Sequence, residues 1–219
     1  MENLSPILQR IPQFAAAKSI EVEELSGGIT NRNFKIAADG ECFVLRLGGN
    51  ETKFLGIDRR NEYECSLLAS QVGIAPEPTV FLEPEGYIVA RFISGKPIAA
   101  EDAGNEENIR GVVNSMKAYH ALDFFPGPFS AFRVGEEYTE TAKSFDVQLP
   151  VNIDWILDES REIEKAMYRE PLQPHPCHND LLNGNFIHDG TRVRILDWEY
   201  AGMGDMFFDL GNFAVQHEF

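Results

Sequence analysis

Residues 175–185 read HPCHNDLLNGN. His178 stands two positions before Asp180, and Asn185 follows it by five. Asn, Gly and Pro at this density disfavour both helix and strand, so a carboxylate, imidazoles and three amides gather in an irregular loop. Loops of this kind on a rigid scaffold commonly carry chemistry. Two short runs follow, NFIH and RVRILDW, separated by the hairpin-turn pair Asp189-Gly190. A hairpin brings its ends together, so Asn185 and Asp197 are expected side by side at its mouth. One amide and one carboxylate oxygen suit Mg²⁺, which takes a few hard oxygens plus substrate phosphates and water. Asp180 is then placed to orient or deprotonate a hydroxyl. The order Asp-x4-Asn, hairpin, Asp is that of a kinase-type phosphoryl-transfer site.

The rest of the chain has to position these groups. Ser5-Pro6 reads as an N-cap followed by proline, opening a short helix to about Ala17. SIEVEELS and NRNFKIAA alternate as half-buried strands do, with GGITN between them. Asp39-Gly40 turns the chain into ECFVLRL, so residues 19–47 read as a three-stranded meander. DRRNEYECSLLASQV places Tyr63, Leu67, Leu68 and Val72 at helical spacing, and Gly73 stops it. PTVFLEP and GYIVARFI are two more strands, turned at Glu85-Gly86, and SGKPI reads as a linker. Helical patterns then cover about 105–124 and 152–169, more weakly 138–146, and finally about 206–218. The fold class is α+β. A small strand-rich lobe over residues 1–93 precedes a mainly helical lobe over 94–219, and a cleft between lobes is a common ligand site.

The chain has 219 residues, 43% of them hydrophobic and 25% charged, which is enough for a real core. Its net charge of −16 opposes nucleic acid and anionic membranes and suits a cationic small molecule. Cys42, Cys65 and Cys177 are odd in number and widely spaced, as in a reduced, cytoplasmic protein. The first residues hold an early acid and no long apolar run, so neither a signal peptide nor membrane insertion is expected. GMGDM at 202–206 lacks the third glycine of a dinucleotide fingerprint, and HPCH has no second ligand pair for zinc.

CHNDLLNGNF followed by ILDWEYAGMGDMFFDLGNF resembles the choline/ethanolamine kinase family, within the aminoglycoside-phosphotransferase-like group with its two-lobed, protein-kinase-like fold. The resemblance runs from LSGGITNRNF to the end. It implies an ATP- and Mg²⁺-dependent kinase acting on the hydroxyl of a cationic amino alcohol. Asp180 would be the catalytic base or hydroxyl-orienting residue. Asn185 and Asp197 would hold Mg²⁺, with Glu199 assisting. Arg46 would contact the nucleotide phosphates and pair with Glu62, Glu64 being the competing choice. SGGITN would cover the phosphates through Gly27, Gly28, Thr30 and Asn31. Phe92 and Ile93, in the ARFIS hinge, would offer backbone groups to adenine. Asp209 would brace the catalytic loop from below.

Trp198 and Tyr200 flank Glu199, and aromatic faces beside an acid suit a quaternary ammonium; for Trp198 a place in the core is the competing reading and the slightly favoured one. The same loop chemistry would serve an aminoglycoside, thiamine or sugar kinase, and a nucleotide-binding pseudokinase module is the reading from another class. The chain ends soon after DLGN, where family members continue into more helices, and Gln216 stands where many choline kinases carry an acid. The C-terminal lobe is therefore expected to be incomplete. The last helix aligns Met206, Phe207, Leu210, Phe213 and Ala214, with Phe208 and Phe219 in addition, so an apolar patch is expected there, covered by a second subunit in a homodimer or by further chain.

Overall fold

The structure, a computed structural model, describes residues 4–26, 31–49 and 52–217. Two short helices open it, α1 (Ser5–Leu8) and α2 (Pro12–Ala15), where the sequence predicts one helix to about Ala17. Pro12 accounts for the difference. It has no N–H to donate back one turn, so α1 stops and a new helix starts on the proline. The N-cap of α1 is Leu4 rather than Ser5.

The meander is formed by β1 (Ile20–Leu25), β2 (Asn31–Ala38) and β3 (Glu41–Gly48). Asp39 and Gly40, at φ 49° and 88°, make the tight turn between β2 and β3. Alternate residues Phe34, Ile36 and Ala38 of β2 and Phe43, Leu45 and Leu47 of β3 are buried against Leu8, Ile11 and Phe14 of the opening helices. Period two puts Arg46 on the opposite face. That face looks toward α3 (Arg59–Gln71), capped by Asp58, whose Oδ1 accepts the N–H of Arg60 at 2.9 Å and of Asn61 at 3.1 Å. β4 (Pro78–Leu82) and β5 (Tyr87–Arg91) complete an antiparallel sheet of order β1-β2-β3-β5-β4.

SGKPI is more than a linker. Its β6 (Lys96–Pro97) pairs with β8 (Phe186–His188), adding a third strand to the hairpin that β8 makes with β9 (Val193–Ile195). The helical lobe contains α4 (Glu106–His120), α5 (Ala131–Ser144) and α6 (Ile153–Met167). The weak pattern at 138–146 is the second half of α5, which starts earlier because Ser130 caps it. β7 (His175–Cys177) pairs with β10 (Gly202–Gly204), the GMG of the rejected fingerprint. A Cβ on Gly202 would lie 2.8 Å from the Gly127 carbonyl oxygen, so close backbone approach is what that glycine provides. α7 (Met206–Gln216) closes the described chain.

The second core gathers Cys65 and Ala69 of α3 with Met116, Tyr119, Phe125, Leu181, Phe186, Ile195, Trp198 and Phe213, and so joins the two lobes. Outside it, α6 buries no residue and exposes Trp155 at 60%, and α7 exposes Phe207 at 66% and Val215 at 77%. Phe213 alone of the expected α7 stripe is buried, while Phe219 lies outside the described residues. No helix among the described residues is long and apolar enough to cross a membrane.

Candidate active site

The loop after β7 is held by one helix. Asp209 on α7 is fully buried, and its Oδ1 accepts the N–H of Asn179 at 2.7 Å. Its Oδ2 accepts the N–H of His178 at 3.0 Å, the Tyr119 hydroxyl at 2.8 Å and His120 Nε2 at 2.9 Å. One turn on, Asn212 Oδ1 accepts the N–H of Leu181 at 2.6 Å, and His217 Nε2 lies 3.3 Å from the Leu181 carbonyl. Asp180 is therefore fixed from both sides. His178 is part of this frame: its Nδ1 accepts the Asp180 N–H at 3.2 Å, which leaves Nε2 to donate to the Leu196 carbonyl at 2.8 Å. Asn179 and Asp197 adopt positive φ, 69° and 62°, a conformation their short polar side chains tolerate.

The hairpin brings the other groups in. Leu196 N–H donates to the Asn185 carbonyl at 2.9 Å, which sets Asp197 one residue past Asn185's partner at the mouth. Asn185 Nδ2 donates to the Asp180 carbonyl at 2.9 Å and reaches its Oδ2 at 3.3 Å. Burial raises the Asp180 pKa; His178 and the Asn185 amide pull it back, the Asp197 charge adds to the rise, and the net result is upward. Asp197 Oδ1 is buried without a hydrogen bond among the described residues, held by an ion pair to Arg46 Nη1 at 2.9 Å. That carboxylate and the Asn185 amide form a set of hard oxygens that fits a small divalent cation.

Arg46 reaches across to α3, where it pairs with Glu62 and not Glu64, which lines a neighbouring pocket. Burial works against the Arg46 charge, but Asp197, Glu62 and Glu199 outweigh it and raise its pKa. Glu199 is buried, its Oε2 taking Arg59 Nη1 at 3.0 Å and Asn31 Nδ2 at 3.0 Å. Asn31, expected over the phosphates, is thus tied to Glu199. Gly27, Gly28 and Thr30 lie outside the described residues.

Phe92 and Ile93 lie between β5 and β6, at the passage from one lobe to the other. The N–H of Phe92 donates to the Cys42 carbonyl at 3.0 Å, extending the sheet. Trp198 is corrected. Its ring is 1% exposed, packs edge-on to Tyr119 and Phe125, and donates Nε1–H to the Ile195 carbonyl at 2.9 Å. A ring buried on all sides fills the core and cannot face an acceptor. Gln216 is exposed at the end of α7. Tyr200 is half-buried, with its hydroxyl 3.1 Å from that of Tyr138 on α5, and burial with the Tyr138 contact raises its pKa. Tyr200, Glu199, Phe129, Asp58, Glu64 and Glu137 line part of an open pocket of about 520 Å³.

His120, Cys177 and Asp209 come within metal-binding reach of one another, but both Asp209 oxygens already accept donors and burial pushes the Cys177 thiol pKa up. The trio reads as packing. Sequence reasoning missed Arg59, Tyr138, Asn212 and His217. Asn212 had a readable signal, since it lies one helical turn past Asp209 and so shares its face. Tyr138 and His217 meet their partners only through the tertiary fold, as Arg59 does its partners Glu199 and Asn31.

A family model described as choline/ethanolamine kinase matches residues 22–218. The chain belongs to the choline/ethanolamine kinase family. Protein LicA of Haemophilus influenzae is 28% identical over 84% of this chain and 55% of its own length. The thiamine kinase of Escherichia coli is 34% identical over 90% of this chain and 66% of its own. The chain thus spans about half to two thirds of these curated relatives. A crystal structure of a choline/ethanolamine kinase family protein from Mesorhizobium loti superposes with a TM-score of 0.79 at 29% identity, covering 98% of this chain and 69% of that one. The family's two-lobed, protein-kinase-like fold is the fold of this chain.

Proposed function

We propose that the chain carries an ATP- and Mg²⁺-dependent phosphotransferase activity whose acceptor is the hydroxyl of a cationic amino alcohol, choline or ethanolamine. The observation that carries this reading is the convergence of Asp180, Asn185 and Asp197 on one loop and hairpin mouth, with Arg46 ion-paired to Asp197. Asn185 and Asp197 would hold the metal, which when bound supplies positive charge to the phosphate oxygens. Asp180 would orient the acceptor hydroxyl and take its proton as the oxygen bonds to the γ-phosphorus and the bond to the β,γ-bridging oxygen breaks, leaving ADP. Arg46, kept charged by three carboxylates, would offset charge on the phosphates. Most of the rate in such a site comes from positioning and electrostatics.

A net charge of −16 supports a cationic acceptor, as do Glu64, Glu137 and Tyr200 in the pocket beside Glu199. Identity of 34% to a thiamine kinase supports thiamine, another cationic alcohol, as the second reading. An ATP-consumption screen against choline, ethanolamine, thiamine and aminoglycosides tests both. Turnover of choline or ethanolamine is expected. Turnover of thiamine alone transfers the assignment to the second reading, and no turnover with any of them refutes the acceptor class.

A further inference from the structure

Arg59 has no part in the steps above, yet it joins three segments. Its Nη1 donates to Glu62 Oε2 at 2.6 Å within α3 and to Glu199 Oε2 at 3.0 Å beyond the hairpin, and its Nη2 donates to Asn31 Oδ1 at 2.7 Å on β2. Its side chain is 12% exposed, and both carboxylates are more deeply buried. The fold clears a path for it. A Cβ on Gly86 would lie 2.8 Å from Arg59 Cβ, and one on Gly48 would lie 3.3 Å from Arg59 Nε. Two buried carboxylates on one guanidinium nitrogen would repel each other without the cation between them.

We propose that Arg59 is a positioning residue that tunes how tightly the site holds its divalent cation, by neutralising Glu199 two residues from Asp197 while it keeps Glu62 in place for Arg46. The proposal rests on the metal assignment to Asn185 and Asp197 made above. Among the described residues, Glu62, Asp197 and Glu199 are three anions set against two cations, Arg46 and Arg59. Removing Arg59 leaves one. The electrostatic attraction for a divalent cation then rises, because Glu199, a buried carboxylate two residues from Asp197, has lost the cation that neutralises it. Catalysis moves the other way. Glu62 keeps only Arg46, the pair loses its fixed geometry, and a group misplaced by about 1 Å costs on the order of a hundredfold in rate. A residue that served packing alone would weaken metal binding and turnover together.

The test is Mn²⁺ binding in the presence of ADP, followed by electron paramagnetic resonance, on the wild type, Arg59→Met, Arg59→Gln and the double variant Arg59→Met/Glu199→Gln. Both single variants should bind Mn²⁺ on the order of tenfold more tightly, the scale of a unit charge at a partly buried site. Their kcat should fall by roughly tenfold to a hundredfold. The double variant should return Mn²⁺ affinity to the wild-type value or below, because the gain requires the Glu199 carboxylate. Arg59→Gln keeps an amide donor for Glu199 and serves if the methionine variant does not fold. Unchanged or weaker Mn²⁺ binding in a folded single variant overturns the proposal, as does a gain that persists in the double variant. A wild type that binds no Mn²⁺ overturns the metal assignment itself, and the role of Arg59 with it.

Discussion

Replacing Asp209 by asparagine should loosen the catalytic loop without changing any group that meets a substrate. The buried carboxylate accepts four donors, one on Oδ1 and three on Oδ2. An asparagine in the same place does best by turning its oxygen toward the three donors. Its amide nitrogen then faces the N–H of Asn179, donor against donor. A buried donor left unsatisfied costs about 1–3 kcal/mol, and three charge-assisted bonds become neutral ones at roughly half their strength. The sum is about 3–7 kcal/mol, a large share of a typical domain's stability. For a chain of this size that corresponds to a fall in Tm on the order of 10 °C. Thermal unfolding reads the first effect, and amide hydrogen exchange at His178 and Asn179 reads where it arises. A fall of less than about 2 °C, or exchange at those two amides no faster than in the wild type, would refute the claim that Asp209 holds this loop.

Asp180→Asn should keep ATP affinity and lose about 10²–10⁴-fold in turnover, the usual contribution of a general base; retention of more than roughly a tenth of the wild-type rate removes Asp180 from that role. ATP binding measured by calorimetry should weaken strongly when EDTA replaces Mg²⁺, and equal affinity in both would sink the metal assignment. Because Asp180 must be ionised to act and its pKa is raised, kcat/KM should fall as the pH drops through a limb lying above the ordinary carboxylate value of about 4. The same shift has the opposite sign for folding: the folded chain binds this proton more tightly, so the group's contribution to stability grows as the pH falls through its folded pKa. A limb at the ordinary carboxylate value contradicts the burial argument. Gly202→Ala should lower stability by about 3 kcal/mol in a denaturant titration, since its Cβ would press on the Gly127 carbonyl; a neutral result would show that β10 can shift away.

What could be read from the chain alone was whatever depends on neighbours in sequence. The turn residues at Asp39-Gly40 and Asp189-Gly190, the alternation in β2 and β3 and the short spacing from Asp180 to Asn185 are local. A hairpin then makes the step to Asp197 local as well. Pairings set by distant partners were hidden. Lys96 and Pro97 become a strand only because β8 offers them an edge, and nothing in SGKPI announces it. Trp198 looks the same in sequence whether it faces a ligand or the core, and the packing of Tyr119 and Phe125 decides for the core. Pro12 is a local signal too, since a proline inside a helical pattern breaks or restarts it.

Arg59 shows the limit most clearly. As the first residue of α3 it occupies a place where acids, not bases, favour the helix dipole, so local reasoning counts it as slightly unfavourable. A residue kept against its local preference is expected to answer to something outside its own element. Here that is a pair of buried carboxylates, one beside it on α3 and one from the far lobe, together with an amide from β2. The conflict between the position and the residue type was thus a readable sign of a tertiary role. Its partners, Glu199 and Asn31, were visible only once the chain had folded around them.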